Sequence, residues 1–285
     1  MCYIVSMHHI DLEQLDKVYP NIHKNFGNAI PFPHIILDHF MKEFSCNVLR
    51  EEYLHSENKQ QWNQYYHFNE RKEGITEISK FGTKTREILK EFASQRFISW
   101  LEKISGLNGL QWDDELDGGG LHKIGRGGYL NIHTDFLAHP RKKNWSRQLN
   151  VLLYLNKNWK ESYGGNLELW DENMHECKVA IEPLFNRCVI FQTNHKSFHG
   201  HPNPLDCPEG EFRRSLALYY FKEEDKNISL RSTYYRSRPN ESLTKQFLVV
   251  LDRIALHIFS IIKRYTGFND KHISKILKIF KFFKR

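Results

Sequence analysis

Asn131-Ile132-His133-Thr134-Asp135-Phe136 is the stretch on which the reading of this chain turns. In extended backbone, residues two apart share a face, so His133 and Asp135 point together while Thr134 points away. An imidazole and a carboxylate held side by side can take two neighbouring positions on a metal ion. Downstream, Thr193-Asn194-His195-Lys196-Ser197-Phe198-His199-Gly200-His201-Pro202 offers a third ligand. Two histidines and one carboxylate on one side of an ion leave positions open for other molecules. His-x-Asp by itself often arises by chance. Followed by His-Gly-x-Pro, and then by Arg213-Arg214-Ser215 at the start of an apolar strand, it becomes a specific signal.

Outward from this stretch, composition sets the bounds. The 285 residues are 40% hydrophobic and 14% aromatic, enough for one sizeable core or two small ones. The formal net charge of +7 is unevenly spread. From Lys245 to Arg285, ten Lys/Arg stand against Asp252 and Asp270, an excess of +8 that leaves residues 1–244 at −1. An anionic partner therefore belongs to the tail, and the absence of a recognised nucleic-acid-binding pattern argues against nucleic acid. Five scattered cysteines without a Cys-x-x-Cys spacing argue against a disulfide framework and a structural zinc site. The first residues lack the positive region of a secretory signal, and no apolar run is long enough to span a bilayer. A reducing cytoplasm is the expected compartment.

Residues 1–30 show no clear period. Pro31–Asp38 reads as a short strand entered through prolines, followed by a helix over His39–Tyr53. The polar stretch Ser56–Gly82 reads as a long surface excursion. Ile88, Leu89, Phe92, Phe97, Ile98 and Leu101 recur at helical spacing and predict one helix from Thr83 to Ser105, stopped by Gly106. The texture then changes to short strands punctuated by Gly, Asn, Asp and Pro. They are expected at Leu121–Ile124, Tyr129–Asp135, Arg147–Leu155, Asn166–Trp170, Lys178–Glu182, Arg187–Gln192, Ser197–His201 and Arg213–Phe221. Such spacing favours a mainly β fold of the jelly-roll kind, with helices on an outer face. Amphipathic helices are expected over Leu243–Tyr265 and His272–Phe283, so the chain divides into a domain over residues 1–240 and a basic helical tail over 241–285.

The ordered motifs are Gly-Gly-Tyr-Leu-Asn-Ile-His133-Thr-Asp135, Arg147-Gln-Leu-Asn-Val-Leu-Leu-Tyr154-Leu-Asn156, Gly164-Gly-Asn-Leu-Glu-Leu-Trp170, Pro183-Leu-Phe-Asn-Arg187, His199-Gly-His-Pro202 and Arg213-Arg-Ser-Leu-Ala-Leu-Tyr-Tyr-Phe221. Over residues 118–240 this pattern resembles the Fe(II)/2-oxoglutarate-dependent dioxygenase superfamily, in its prolyl 4-hydroxylase-like branch. The resemblance implies a double-stranded β-helix, with Fe(II), 2-oxoglutarate and O2 as reactants and ascorbate as an accessory reductant. It makes His133, Asp135 and His199 the iron ligands and catalytic centre. Arg213 would bind the distal carboxylate of 2-oxoglutarate through its two-donor fork, with Ser215 adding a hydrogen bond. Arg214 is expected to be a solvated charge on the other face, His201 a rim neighbour and His195 a loop residue. Ile124 stands where the branch often has Tyr, so His122 or Tyr129 would have to substitute. Tyr154 and Trp170 read as core residues.

The Gly118-Gly119-Gly120 and Gly125-Arg-Gly-Gly128 runs lack the helix and Lys-Ser/Thr of a phosphate loop and read as tight turns. The implied reaction couples oxidative decarboxylation of 2-oxoglutarate to C–H hydroxylation. Its substrate would be a prolyl or other peptidyl residue, or alternatively a small metabolite or a glycan or lipid precursor. Retention of Asp135 favours hydroxylation over halogenation. A cupin-type metal enzyme would leave Arg213-x-Ser215 unexplained, and a non-catalytic jelly-roll module would not need three ligands in this order. Two readings of the tail stay open: packing against the body or a second subunit, and peripheral contact with an anionic membrane.

Overall fold

The computed structural model describes residues 8–266. They begin with α1 (Leu12–Val18), α2 (Ile22–Gly27), β1 (His34–Leu37), α3 (Glu43–Lys59), β2 (Asn63–His67), β3 (Glu70–Ile75), α4 (Thr83–Phe92) and α5 (Gln95–Ser105). The strands β4 (Leu110–Trp112), β5 (Gly120–Ile124), β6 (Tyr129–Thr134), β7 (Trp145–Tyr154), β8 (Leu167–Trp170) and β9 (Cys177–Ile181) follow. Then come β10 (Cys188–Gln192), β11 (His199–His201), β12 (Arg213–Glu223), β13 (Tyr234–Tyr235) and α6 (Leu243–Thr266). The strands form one curled antiparallel sheet in the order β1-β10-β7-β12-β5-β3-β6-β11-β8-β9, with β13 beside β6, β2 beside β3 and β4 beside β12. This is a jelly-roll half-barrel with flanking helices.

Two long central strands explain how the sheet carries a site. In β7, Leu149, Val151 and Leu153 are fully buried against the helical layer, and in β12 so are Leu216, Leu218 and Tyr220. The alternate residues Asn150, Leu152 and Tyr154, with Arg213, Ser215, Ala217 and Tyr219, face the barrel interior. A period of two thus sorts each strand into a packing face and a chemical face. Because both faces are covered, the strands read in sequence as nearly unbroken apolar runs. Phe40, Phe92, Phe97 and Trp100 stack and edge together across the helices that cover the packing face. Full burial of each such ring contributes about 1.5–3 kcal/mol.

Several expectations are corrected. Residues 8–30 hold α1 and α2, which bury Leu12, Leu15, Ile22 and Phe26, because helices this short carry too few turns for a visible period. The helix after β1 starts at Glu43 and runs to Lys59. The stretch from Thr83 to Ser105 is two helices: Ala93 ends α4, and Ser94 caps α5 by accepting a hydrogen bond from Phe97 N at 3.3 Å. Gly106, at φ 73°, closes α5 as expected.

The largest correction concerns Ser56–Gly82. It contains the β2–β3 hairpin, and β3 is a full member of the sheet between β5 and β6. Its polar side chains Glu70 and Lys72 face the interior, so an apolar alternation was never available to mark it. Helix α6 covers this hairpin. Asp252 accepts hydrogen bonds from Asn69 Nδ2 at 2.7 Å and from the backbone N–H groups of Phe68 and Asn69 at 3.3 Å, and contacts His67 Nδ1 at 2.8 Å. The helix predicted over His272–Phe283 lies outside the described residues.

Candidate metal and co-substrate site

The pairing of β6 with β11 sets His199 directly opposite His133. Each imidazole is held by the carbonyl two residues back: His133 Nδ1 lies 2.9 Å from Asn131 O, and His199 Nδ1 lies 2.9 Å from Ser197 O. A carbonyl only accepts, so Nδ1 carries the proton in both rings and each Nε2 presents a lone pair. Those lone pairs converge. His133 Nε2 is 3.5 Å from Asp135 Oδ1, and His199 Nε2 is 3.5 Å from Asp135 Oδ2. The three side chains are buried and form a cluster able to hold a metal ion. Separations of this size suit donors that each lie about 2 Å from one ion.

The shell around them is arranged to keep the carboxylate ionised. Asn150 Nδ2 donates to Asp135 Oδ2 at 2.7 Å, and Arg147 Nη2 pairs with the same oxygen at 3.1 Å. Arg147 is itself fixed by donating through Nε and Nη2 to Asn150 Oδ1 at 2.8 and 2.6 Å, and its guanidinium stacks 3.3 Å from the Tyr219 ring centroid. Burial favours the neutral acid, but the Arg147 guanidinium beside it outweighs burial and holds Asp135 well below the usual carboxylate range. Burial also pulls His199 down to about 4, which keeps its imidazole neutral as a ligand must be. Gly200 makes the close pairing possible, since a Cβ there would meet Leu130 O at 2.8 Å and Asn131 O at 2.9 Å.

Deeper in the same cavity, of about 190 Å³, Arg213 donates through Nε to Gly165 O at 2.7 Å and through Nη2 to the Tyr154 hydroxyl at 3.1 Å. Its guanidinium also lies 4.8 Å from the Tyr154 ring centroid. Ser215 follows on the same strand face and lines the cavity. Arg214 points the other way, but it is not a solvated charge. It is buried, with Nε and Nη2 on the two carboxylate oxygens of Glu57 at 2.6 and 3.2 Å.

His201 is buried in the cavity wall rather than at a rim, and neither of its ring nitrogens has a hydrogen-bond partner among the described residues. His195 is exposed in the loop before β11. Tyr154, read from sequence as core, lines the cavity with its hydroxyl against Arg213, while Trp170 packs with Ile132, Met174 and Phe198. Of the residues near position 124, His122 lines the cavity and Tyr129 donates its hydroxyl to Phe68 O at 3.0 Å. Sequence reasoning missed Arg147, Asn150, Glu70 and Lys72. The polar letters Arg147 and Asn150 inside an apolar strand were the available signal for the first two. Glu70 and Lys72 form an ion pair at 2.6 Å on the opposite wall. There the cavity adjoins an apolar groove shared through Tyr65, Phe136 and Tyr235, whose outer wall includes Leu230, Leu256 and Phe259.

The chain is similar to several known proteins. Residues 111–222 match the family described as the 2OG-Fe(II) oxygenase superfamily. Two curated relatives are prolyl 3-hydroxylase OGFOD1 of Mus musculus, 24% identical over 174 residues, and of Xenopus laevis, 25% identical over 198 residues. The matches cover 59% and 68% of this chain but only 29% and 35% of those proteins, so the chain spans about a third of their length. Among solved structures, a Trichoplax adhaerens prolyl hydroxylase in complex with a hypoxia inducible factor oxygen degradation domain peptide fragment superposes with a TM-score of 0.54 at 18% identity, covering 74% of this chain and 92% of that one. A Pseudomonas putida prolyl-4-hydroxylase gives 0.52 at 15% identity, covering 71% and 97%. The match over residues 111–222 makes that part of the chain similar to the 2OG-Fe(II) oxygenases, and the solved structures share its fold. Its jelly roll has the fold of those two prolyl hydroxylase structures.

Proposed function

We propose that the chain is an Fe(II)- and 2-oxoglutarate-dependent hydroxylase acting on a prolyl or other peptidyl residue, with residues 1–240 as the catalytic unit and 241–285 as an appended tail. The observation that carries the reading is the convergence of two carbonyl-anchored imidazoles on the two oxygens of Asp135, at 3.5 Å each. His133, Asp135 and His199 hold the iron, and Arg147 with Asn150 keeps the carboxylate charged and oriented. Arg213 receives the distal carboxylate of 2-oxoglutarate; its Nε bond to Gly165 O fixes the plane of the fork before the ligand arrives. Tyr154 accepts from Arg213, which leaves its own O–H free to donate to the same carboxylate, and Ser215 lies beside it. Bound iron with 2-oxoglutarate supplies the activation of O2 that C–H hydroxylation requires.

A peptidyl substrate is supported by relatives described as prolyl 3-hydroxylases and by the adjoining groove, which offers an extended segment an apolar wall. Cys46, Cys177, Cys188 and Cys207 are free thiols, which supports a reducing compartment such as the cytoplasm. Among the described residues no helix is long and apolar enough to cross a membrane. Anaerobic addition of Fe(II) and 2-oxoglutarate should give a metal-to-ligand absorption band that His133→Ala abolishes. Aerobically, succinate release should rise with prolyl-containing peptides. No band, or an unchanged band in the variant, overturns the iron site. Stimulation by small metabolites but not by peptides overturns the substrate class.

A further inference from the structure

Helix α6 carries apolar residues on its inner and its outer face. The face that meets the body buries Val249 and is also tied down by polar groups. Asp252 binds the β2–β3 turn, Arg253 Nη1 donates to Tyr235 O at 3.4 Å, and Arg264 Nη2 donates to Ile228 O at 2.9 Å. The face turned to solvent carries Phe247, Leu251, Ile254, Ile258, Ile261 and Tyr265, which are 41–71% exposed. Val250 and Ile262, exposed at 38% and 43%, widen this stripe on either side. With about 100° of rotation per residue the eight side chains cover an arc of roughly 120° that contains no charge.

A seam made for another helix is narrower than this, confined to two positions in seven. A broad apolar arc is what a helix lying in the plane of a lipid surface presents. Charge selects the kind of surface. Ten Lys/Arg against two Asp from Lys245 onward concentrate the positive charge of the chain in this helix and the residues after it, while the rest of the chain is close to neutral. Beyond Thr266 the sequence adds five lysines and Arg285 against Asp270, interleaved with Phe268, Ile273, Ile276 and Phe280. We infer that the outer face of α6 docks the protein on an anionic membrane surface, with the basic residues of the tail drawn to the lipid headgroups. The opposite side of the same helix supplies Leu256 and Phe259 to the groove beside the candidate site, so docking would bring that groove close to the lipid headgroups.

Flotation of the full chain with vesicles tests this. Phosphatidylcholine vesicles with phosphatidylserine should carry at least about tenfold more protein than phosphatidylcholine alone, and raised salt should weaken the difference. The double substitution Ile254→Asp, Ile258→Asp should abolish flotation while leaving near-UV circular dichroism unchanged, since both side chains are half exposed on the outer face. Equal flotation of parent and variant overturns the assignment, as does no flotation of the parent. A parent dimer that does not float and that the variant splits would give the face to a second copy. A parent monomer that does not float, but begins to float once residues 267–285 are removed, would give the face to that segment. Either result rejects lipid as the occupant of this face in the full chain.

Discussion

Arg213 and Arg214 are adjacent in sequence and opposite in role, and each supports its own experiment. Arg213 is held in a planar arrangement by Gly165 O and Tyr154, which suits a ligand carboxylate taken by two parallel donors. Arg213→Lys keeps the charge but loses the fork. It is expected to weaken 2-oxoglutarate binding about 10- to 100-fold by calorimetry, with Tyr154→Phe losing about tenfold. Arg214 instead secures the fold, because its buried pair with Glu57 ties α3 to the start of β12. Glu57→Ala leaves a buried guanidinium short of a partner and should cost about 3 kcal/mol in urea unfolding. Gly200 gives a third test. Any side chain there pushes β11 off β6, so Gly200→Ala should lower iron affinity about 10- to 100-fold although every ligand remains.

At the scale of the element, α6 is fastened by a titratable clasp. Burial opposes charge on His67, but hydrogen bonds to Asp252 and Glu70 raise its pKa to about 9. A folded-state value above the ordinary 6.5 means that the stabilisation is complete below pH 6.5 and is lost as pH climbs towards 9. The stability difference between the parent and His67→Asn should therefore shrink across that interval, from an upper bound of roughly 3 kcal/mol, in urea midpoints measured at successive pH values. The same region marks where sequence stops being legible. Strands with apolar residues on both faces, such as β7, β10 and β12, were visible from composition. The triad and Arg213 were visible because their chemistry is rare and ordered. The β2–β3 hairpin was hidden because Glu70 and Lys72 face a polar cavity, where the alternation rule has nothing apolar to count. The break between α4 and α5 was hidden because apolar spacing continues through Ser94, although Ser is itself a capping residue.

For the whole molecule, the candidate ligands come from β6 and β11, from Asp135 just beyond β6, and from β12, with Tyr154 on β7. Filling the site should therefore stabilise the entire barrel. At concentrations 100-fold above the dissociation constant, bound metal with 2-oxoglutarate would add about 2.7 kcal/mol. Thermal unfolding should then shift upward by roughly 5 °C. Chelation should reverse the shift, and His133→Ala should show none. A last consequence follows from the way β7 and β12 alternate between helix-facing and cavity-facing residues. Such strands tolerate a change of letter but not a change of frame. Losing or gaining one residue in mid-strand would send Tyr154 or Arg213 into the oily layer and a leucine into the cavity, so this centre can be remodelled by substitution or in its loops, while these two strands must keep their count.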